Sequence, residues 1–165
     1  MLGYISAEGR GTGDRLLTCV AQHLRAQNVP LAGAIQINRE TDPARKCDMD
    51  LHILSGQDVI RISQNLGVLS RGCRLDPAGL EQAVGLVAKA LDHAPALLIA
   101  NKYGKQEIDG RGFRPVIAEA LSRDIPVILS VNPNNVAAFL QFAGALAEPV
   151  GDTLDGALDW VARQI

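Results

Sequence analysis

The chain has 165 residues, 47% of them hydrophobic and 21% charged, with a formal net charge of -2. A chain of that size buries about 70% of the surface its unfolded form would expose, so one globular domain over residues 1–165 is expected, without disulfide or metal support. The near-neutral balance excludes a nonspecific nucleic-acid binder, which would be basic, and runs as short as "ALLIA" exclude membrane insertion.

The opening residues carry neither a basic n-region nor a long apolar h-region, so a cytoplasmic protein is expected. Cys19, Cys47 and Cys73 are odd in number and form no CxxC pair, which fits reduced thiols.

"LGYIS" (2–6) reads as a first strand, and residues 14–27 then set Leu16, Leu17, Val20, Ala21 and Leu24 on one helical face. "LAGAIQIN" (31–38) is a second strand. Residues 39–75 interrupt the series: "MDLHILSGQDVIRIS" has two β-rich runs around "SGQD", which predicts an inserted hairpin. Its flanks carry Arg39, Arg45, Lys46, Arg61, Arg71 and Arg74, and no acid lies between Arg61 and Arg74. So basic a segment suits a lid over a ligand crevice.

Asp76 and Pro77 open the next helix as N-cap and first-turn proline. "PALLIAN" (95–101) is a buried strand, followed by a glycine-rich polar loop and a helix over about 113–123. "IPVILSV" (125–131), "NVAAFLQFAGAL" and "DTLDGALDWVARQI" give a strand and two helices, the last with Leu154, Leu158 and Val161 inward. Strands alternating with helices predict an α/β fold, a doubly wound and mainly parallel sheet with helices on both faces.

In such a sheet ligands bind at the carboxyl ends of the strands, where the first loop aims free N–H groups and a helix dipole at an anion. "EGRGTGDRLL" (8–17) stands there, and its glycines suit either an anion cradle or a tight turn. A P-loop reads GxxxxGK[ST], with the Lys on the outer phosphates and the hydroxyl on magnesium. Aligned on Gly13, this chain has Glu8 for the first Gly, Asp14 for the Lys and Arg15 for the Ser/Thr. The backbone cradle of Gly9, Gly11, Thr12 and Gly13 survives; the metal-phosphate chemistry does not.

The stretch "LLIANKYGKQEIDGRGFRPVIAEAL" resembles the "DEIGKxE" segment of the P-loop nucleoside-triphosphatase family. Gly104, Lys105 and Glu107 match it, while Asn101 and Lys102 replace its acidic pair. "CDMDL", "RISQ", "RGCRLDP", "NKYGKQE" and "GRG" are similar to an uncharacterised bacterial domain family, grouped with P-loop proteins, whose genes tend to lie beside molybdenum-transport genes. The resemblance implies a P-loop-like fold with degenerate phosphate and magnesium motifs. It brings molybdenum-transport or cofactor proteins into view as partners, and no established reaction.

The two departures are coupled in sign: a base has become Asp14, and acids have become Asn101 and Lys102. Asp14 and Lys102 are therefore expected to meet across the crevice, with Lys102 doing part of the job of the missing loop Lys or metal. Hydrolysis of a magnesium nucleotide is expected to be absent or very slow, and no catalytic residue is assigned. The cations suited to a small anionic ligand are Arg10, Arg15, Lys102, Lys105 and Arg111, with Arg71 and Arg74 from the insertion. Glu107 suits a base or a pair with Lys105 or an Arg.

Cys47 and Cys73 fit buried thiols better than metal ligands. Asp48 and Asp50 share one strand face, where a salt bridge is expected over a cation site. His23, His52 and His93 lack metal-ligand spacing. Tyr103, in the polar loop, is the aromatic expected at a ligand, while Asn132, Asn134 and Asn135 suit ligand contacts or a turn equally. Three readings follow: a binding protein for a nucleotide, phosphate or an oxyanion such as molybdate; an adaptor or regulator with a vestigial crevice; and an active nucleoside triphosphatase. An exposed hairpin edge would also suit a homodimer.

Overall fold

A computed structural model describes residues 1–9, 11–39, 47–64 and 74–165. The strands are β1 (Leu2–Ile5), β2 (Leu31–Arg39), β3 (Asp48–Ile53), β4 (Val59–Arg61), β5 (Leu97–Tyr103), β6 (Val127–Val131) and β7 (Ala147–Pro149). They form one sheet of order β4-β3-β2-β5-β6-β1-β7. From β2 to β7 every pairing is parallel, with Leu2 opposite Val127 and Ala34 opposite Ala100. The hairpin expected in the insertion is β3 and β4, which continue the sheet antiparallel beyond β2. Residues 40–46 and 65–73 of the lid segment, with Arg45, Lys46, Arg71 and Cys73, lie outside the described residues.

Helices α1 (Thr12–Ala26), α2 (Pro77–Ala90), α3 (Lys105–Ile108), α4 (Arg114–Ser122), α5 (Val136–Ala143) and α6 (Leu154–Ala162) complete the chain. Leu17, Val20 and Leu24 of α1 join Trp160 and Val161 of α6 in one core. Leu80 and Val87 of α2, Ile117 of α4 and Phe139 of α5 build the other, on the opposite sheet face. The doubly wound α/β arrangement is thus present. Burying Leu17, Val20 and Leu24 contributes roughly 5–9 kcal/mol before the entropy of ordering is subtracted. On α6 the fully buried positions are Ala157, Trp160 and Val161; Leu154 and Leu158, expected inward, are only partly buried.

Two glycines permit close approaches, and the second stands in the crevice. Gly33 sits at φ 115°, and a β-carbon there would lie 2.0 Å from the Ile99 carbonyl oxygen. At Gly13 a β-carbon would stand 2.8 Å from Cβ of Ser130, so glycine lets the first turn of α1 rest on β6. Among the described residues no helix is long and apolar enough to cross a membrane.

Candidate anion-binding site

Asp14 lies in the first turn of α1, where a carboxylate is favoured by the helix dipole. Gly9 and Gly11 precede it at φ 91° and 72°, left-handed values that L side chains rarely adopt. Gly11 is the N-cap and supplies no side-chain cap. The first-turn N–H groups of Gly13 and Asp14 have no carbonyl within the helix to bond to, so they face the loop.

Opposite them, β5 does something that alternation alone forbids. Successive strand side chains point to opposite faces, yet Asn101 and Lys102 both reach Asp14. Asn101 Nδ2 donates to Oδ1 at 3.2 Å, and Lys102 Nζ to Oδ2 at 3.1 Å. The cause is a register shift between β5 and β6 at Ala100/Lys102, a bulge that re-aims one side chain.

Asn101 also repairs the neighbouring ladder. Its Oδ1 accepts from the Gln36 backbone N–H at 2.8 Å, while its own carbonyl accepts from the Ser130 hydroxyl at 2.6 Å. Only 3% exposed, it is a positioning residue for Asp14 rather than a surface for a ligand. The Lys102 side chain is 45% exposed and Asp14's only 12%, so the pair stands at the mouth of the crevice with its acid inward.

The crevice lies beyond the ends of β1, β5 and β6 and encloses about 150 Å³. Gly9, Gly11, Gly13, Asp14 and Lys102 line it, together with Ser130, Asn132 and Asn135. That volume is below the roughly 300–1,000 Å³ of pockets that enclose a drug-sized ligand. A space that small suits a tetrahedral oxyanion or the phosphate end of a larger molecule.

Several expected contacts fall elsewhere. Arg10 lies outside the described residues, as does Arg71. Arg15 is exposed and donates to the Thr12 hydroxyl at 3.1 Å, and neither residue lines the crevice. Lys105 is exposed on α3, and Arg111 pairs with Asp109 at 3.3 Å; both are outside the crevice lining. Arg74 holds the Cys47 carbonyl at 2.9 Å and the Gln64 carbonyl at 3.3 Å, tying the start of β3 to the segment after β4.

Glu107 neither pairs with Lys105 nor faces the crevice as a base. It is 4% exposed, and its two oxygens accept from the backbone N–H groups of Gly104 at 2.9 Å and Phe113 at 3.0 Å. The carboxylate closes the 104–113 loop on itself, because a buried charge needs such donors. A β-carbon at Gly112 would lie 2.2 Å from its Oε1, which explains the glycine of "GRG".

Tyr103 lines the crevice, as expected, but its ring belongs to the core: it is 1% exposed, edge-on to Phe139 and stacked on Phe142. Burial pushes its hydroxyl above the ordinary 10.0 by disfavouring the phenolate.

The Asp48 and Asp50 face is an ion-pair cluster, as expected. Asp50, 3% exposed, bonds Arg61 closely and Arg39 at 3.4 Å, and Arg61 reaches Asp48 at 2.8 Å. The Asp50 hydrogen bond in turn raises the pKa of Arg61. Among the described residues no group of three or more His, Cys, Asp or Glu is placed to hold a metal ion.

Ser130 is a polar crevice residue that the sequence does not announce, since a serine in a buried strand carries no local signal. Asn132 is a cap, its Oδ1 accepting from the Asn134 N–H at 3.0 Å, and also crevice wall.

A family model described as "Protein of unknown function (DUF2478)" matches residues 2–160. The chain is 34% identical over 134 residues to "Molybdenum import ATP-binding protein ModC 2" of Bradyrhizobium diazoefficiens. That alignment covers 81% of this chain and 15% of the other protein, so the chain spans only a small part of this relative's length. The crystal structure of THEP1 from the hyperthermophile Aquifex aeolicus matches with a TM-score of 0.68 at 11% identity, over 100% of this chain and 97% of that one. The likeness shows a shared fold, the mainly parallel α/β sheet with helices on both faces.

Proposed function

The chain belongs to the family described as "Protein of unknown function (DUF2478)", and we propose that it is an accessory binding protein which seats an oxyanion without hydrolysing it efficiently. The seat would take a phosphate group of a nucleotide or metabolite, or a free oxyanion such as molybdate.

The observation that carries this reading is the Asp14–Lys102 pair at a glycine-lined cavity on the α1 N-terminus. A hydrolytic site of this type sets a Lys and a magnesium ion against the phosphates. Here the Lys position holds an acid, and that acid is tied to the residues that stand for the magnesium ligands. Backbone donors suited to an anion persist, while the means of stabilising charge during phosphoryl transfer do not.

Molybdenum enters through the similarity to a molybdenum import protein over 81% of this chain. The same alignment favours a second reading, an adaptor in molybdenum handling. A segment like this chain occupies 15% of that longer protein, where it would act through contact with neighbouring domains.

A thermal-shift panel of nucleotides, phosphate, sulfate, molybdate and tungstate, with and without magnesium, separates the readings. Binding predicts a magnesium-independent rise in Tm with at least one anion, lost in Lys102→Ala. The adaptor predicts no shift and a complex with a partner. Phosphate release dependent on a metal would mark a hydrolase instead.

A further inference from the structure

If the crevice seats an oxyanion, its walls also say which kind, and the inference below rests on that reading. The donors are the first-turn N–H groups of α1, the side-chain amides of Asn132 and Asn135 in the wall, and the Lys102 ammonium, which spends one hydrogen on Asp14. Asp14 and Ser130 stand among them as acceptors. Asp14 offers only acceptor oxygens as a carboxylate, each with a lone pair beyond the one that Asn101 or Lys102 uses. Ser130, 7% exposed, commits its hydroxyl hydrogen to the Asn101 carbonyl at 2.6 Å, which leaves its oxygen an acceptor toward the crevice.

An oxyanion without a proton would set bare oxygens against both acceptors, one of them charged. A tetrahedral anion that keeps a proton can place that O–H on Asp14 and its remaining oxygens on the amides. We propose that Asp14, supported by Ser130, is the specificity-determining residue of the crevice: it admits protonated phosphate and rejects oxyanions that carry no proton at neutral pH. Phosphate monoesters lose their second proton near pH 6 and inorganic phosphate closer to neutrality, so a usable protonated fraction exists. Sulfate and molybdate are fully deprotonated at pH 7.

Asp14→Asn keeps the size of the side chain and an oxygen for the Asn101 amide, but removes the charge. It also offers a donor that a bare oxyanion can use.

Isothermal titration at pH 7 of inorganic phosphate, adenosine monophosphate, sulfate and molybdate, into the wild-type chain and Asp14→Asn, tests the inference. The wild type should favour the phosphates over sulfate and molybdate by at least about tenfold, or 1.4 kcal/mol. Asp14→Asn should raise sulfate and molybdate affinity by a similar factor while phosphate changes less. Ser130→Ala, which keeps the β-carbon that meets Gly13, should narrow the wild-type preference by about threefold. The two phosphate arms separate a free ion from a nucleotide end.

Molybdate binding to the wild type as tightly as phosphate overturns the inference while leaving the anion seat intact. An unchanged ratio in a folded Asp14→Asn does the same. No binding of any of the four to the wild type overturns the seat itself, and the inference with it.

Discussion

Replacing Asn101 with Ala separates the two tasks that β5 performs at the crevice. Asn101 accepts from the buried Gln36 N–H and donates to Asp14, at 2.8 and 3.2 Å. Removing it leaves one buried backbone donor without an acceptor, at a cost of about 1–3 kcal/mol, and takes one donor from a carboxylate, for roughly 1 kcal/mol more. The sum is about 2–4 kcal/mol. In a chain of this length each kcal/mol moves Tm by roughly 2–4 °C, so Asn101→Ala should melt about 5–15 °C lower.

Lys102→Ala removes an ion pair whose lysine is 45% exposed, and such pairs contribute about 0–1 kcal/mol. Its Tm should fall by less than about 4 °C, while its response to anions disappears. Calorimetric melts of both variants, with urea denaturation as a second readout, check the contrast. Equal losses of stability in the two variants, or an Asn101→Ala protein as stable as the wild type, would refute the reading of Asn101 as the residue that positions Asp14.

Glu107→Gln should cost about 1–3 kcal/mol, because its amide can accept from only one of the Gly104 and Phe113 N–H groups; hydrogen exchange at those two amides should accelerate in step. Arg61→Ala leaves Asp50, 3% exposed, with Arg39 as its one ion-pair partner among the described residues. The full penalty for breaking a buried pair is about 3–5 kcal/mol, reduced by the half-exposed arginine to about 2, which urea denaturation reads directly. Because the folded state holds the Tyr103 proton above the ordinary 10.0, its contribution is complete below pH 10 and is lost as the pH rises through the folded value. Tm of the wild type should therefore fall more steeply above pH 10 than that of Tyr103→Phe.

The sequence was most legible where a local pattern meets a known constraint. Asp76 and Pro77 announce α2, and the Asp76 carboxylate does accept from the Ala78 N–H at 3.0 Å. The alternation of apolar runs with helical spacing carries the α/β sheet, and β-rich runs around "SGQD" carry the hairpin. The Asp14–Lys102 meeting follows from two charge reversals, one at a helix start and one at a strand end, which an open sheet brings to one side.

What the pattern hides is tertiary. The bulge at Asn101 depends on how β5 registers with β6, so the strand runs to Tyr103 although its apolar run ends at Ala100. Helix α3, with four residues, and strand β7, with three, are too short to show a period. Glu107 and Tyr103 sit in a polar loop by sequence, yet the loop folds back and buries both; neither identity nor spacing marks a carboxylate that will be consumed by two backbone amides.

Equilibrium dialysis with labelled ATP, with and without magnesium and followed over time, reads anion retention and hydrolysis together. The account predicts label retained equally in both conditions, with release of inorganic phosphate far below about 1 s⁻¹. Retention that requires magnesium, accompanied by turnover at that rate or above, would contradict it.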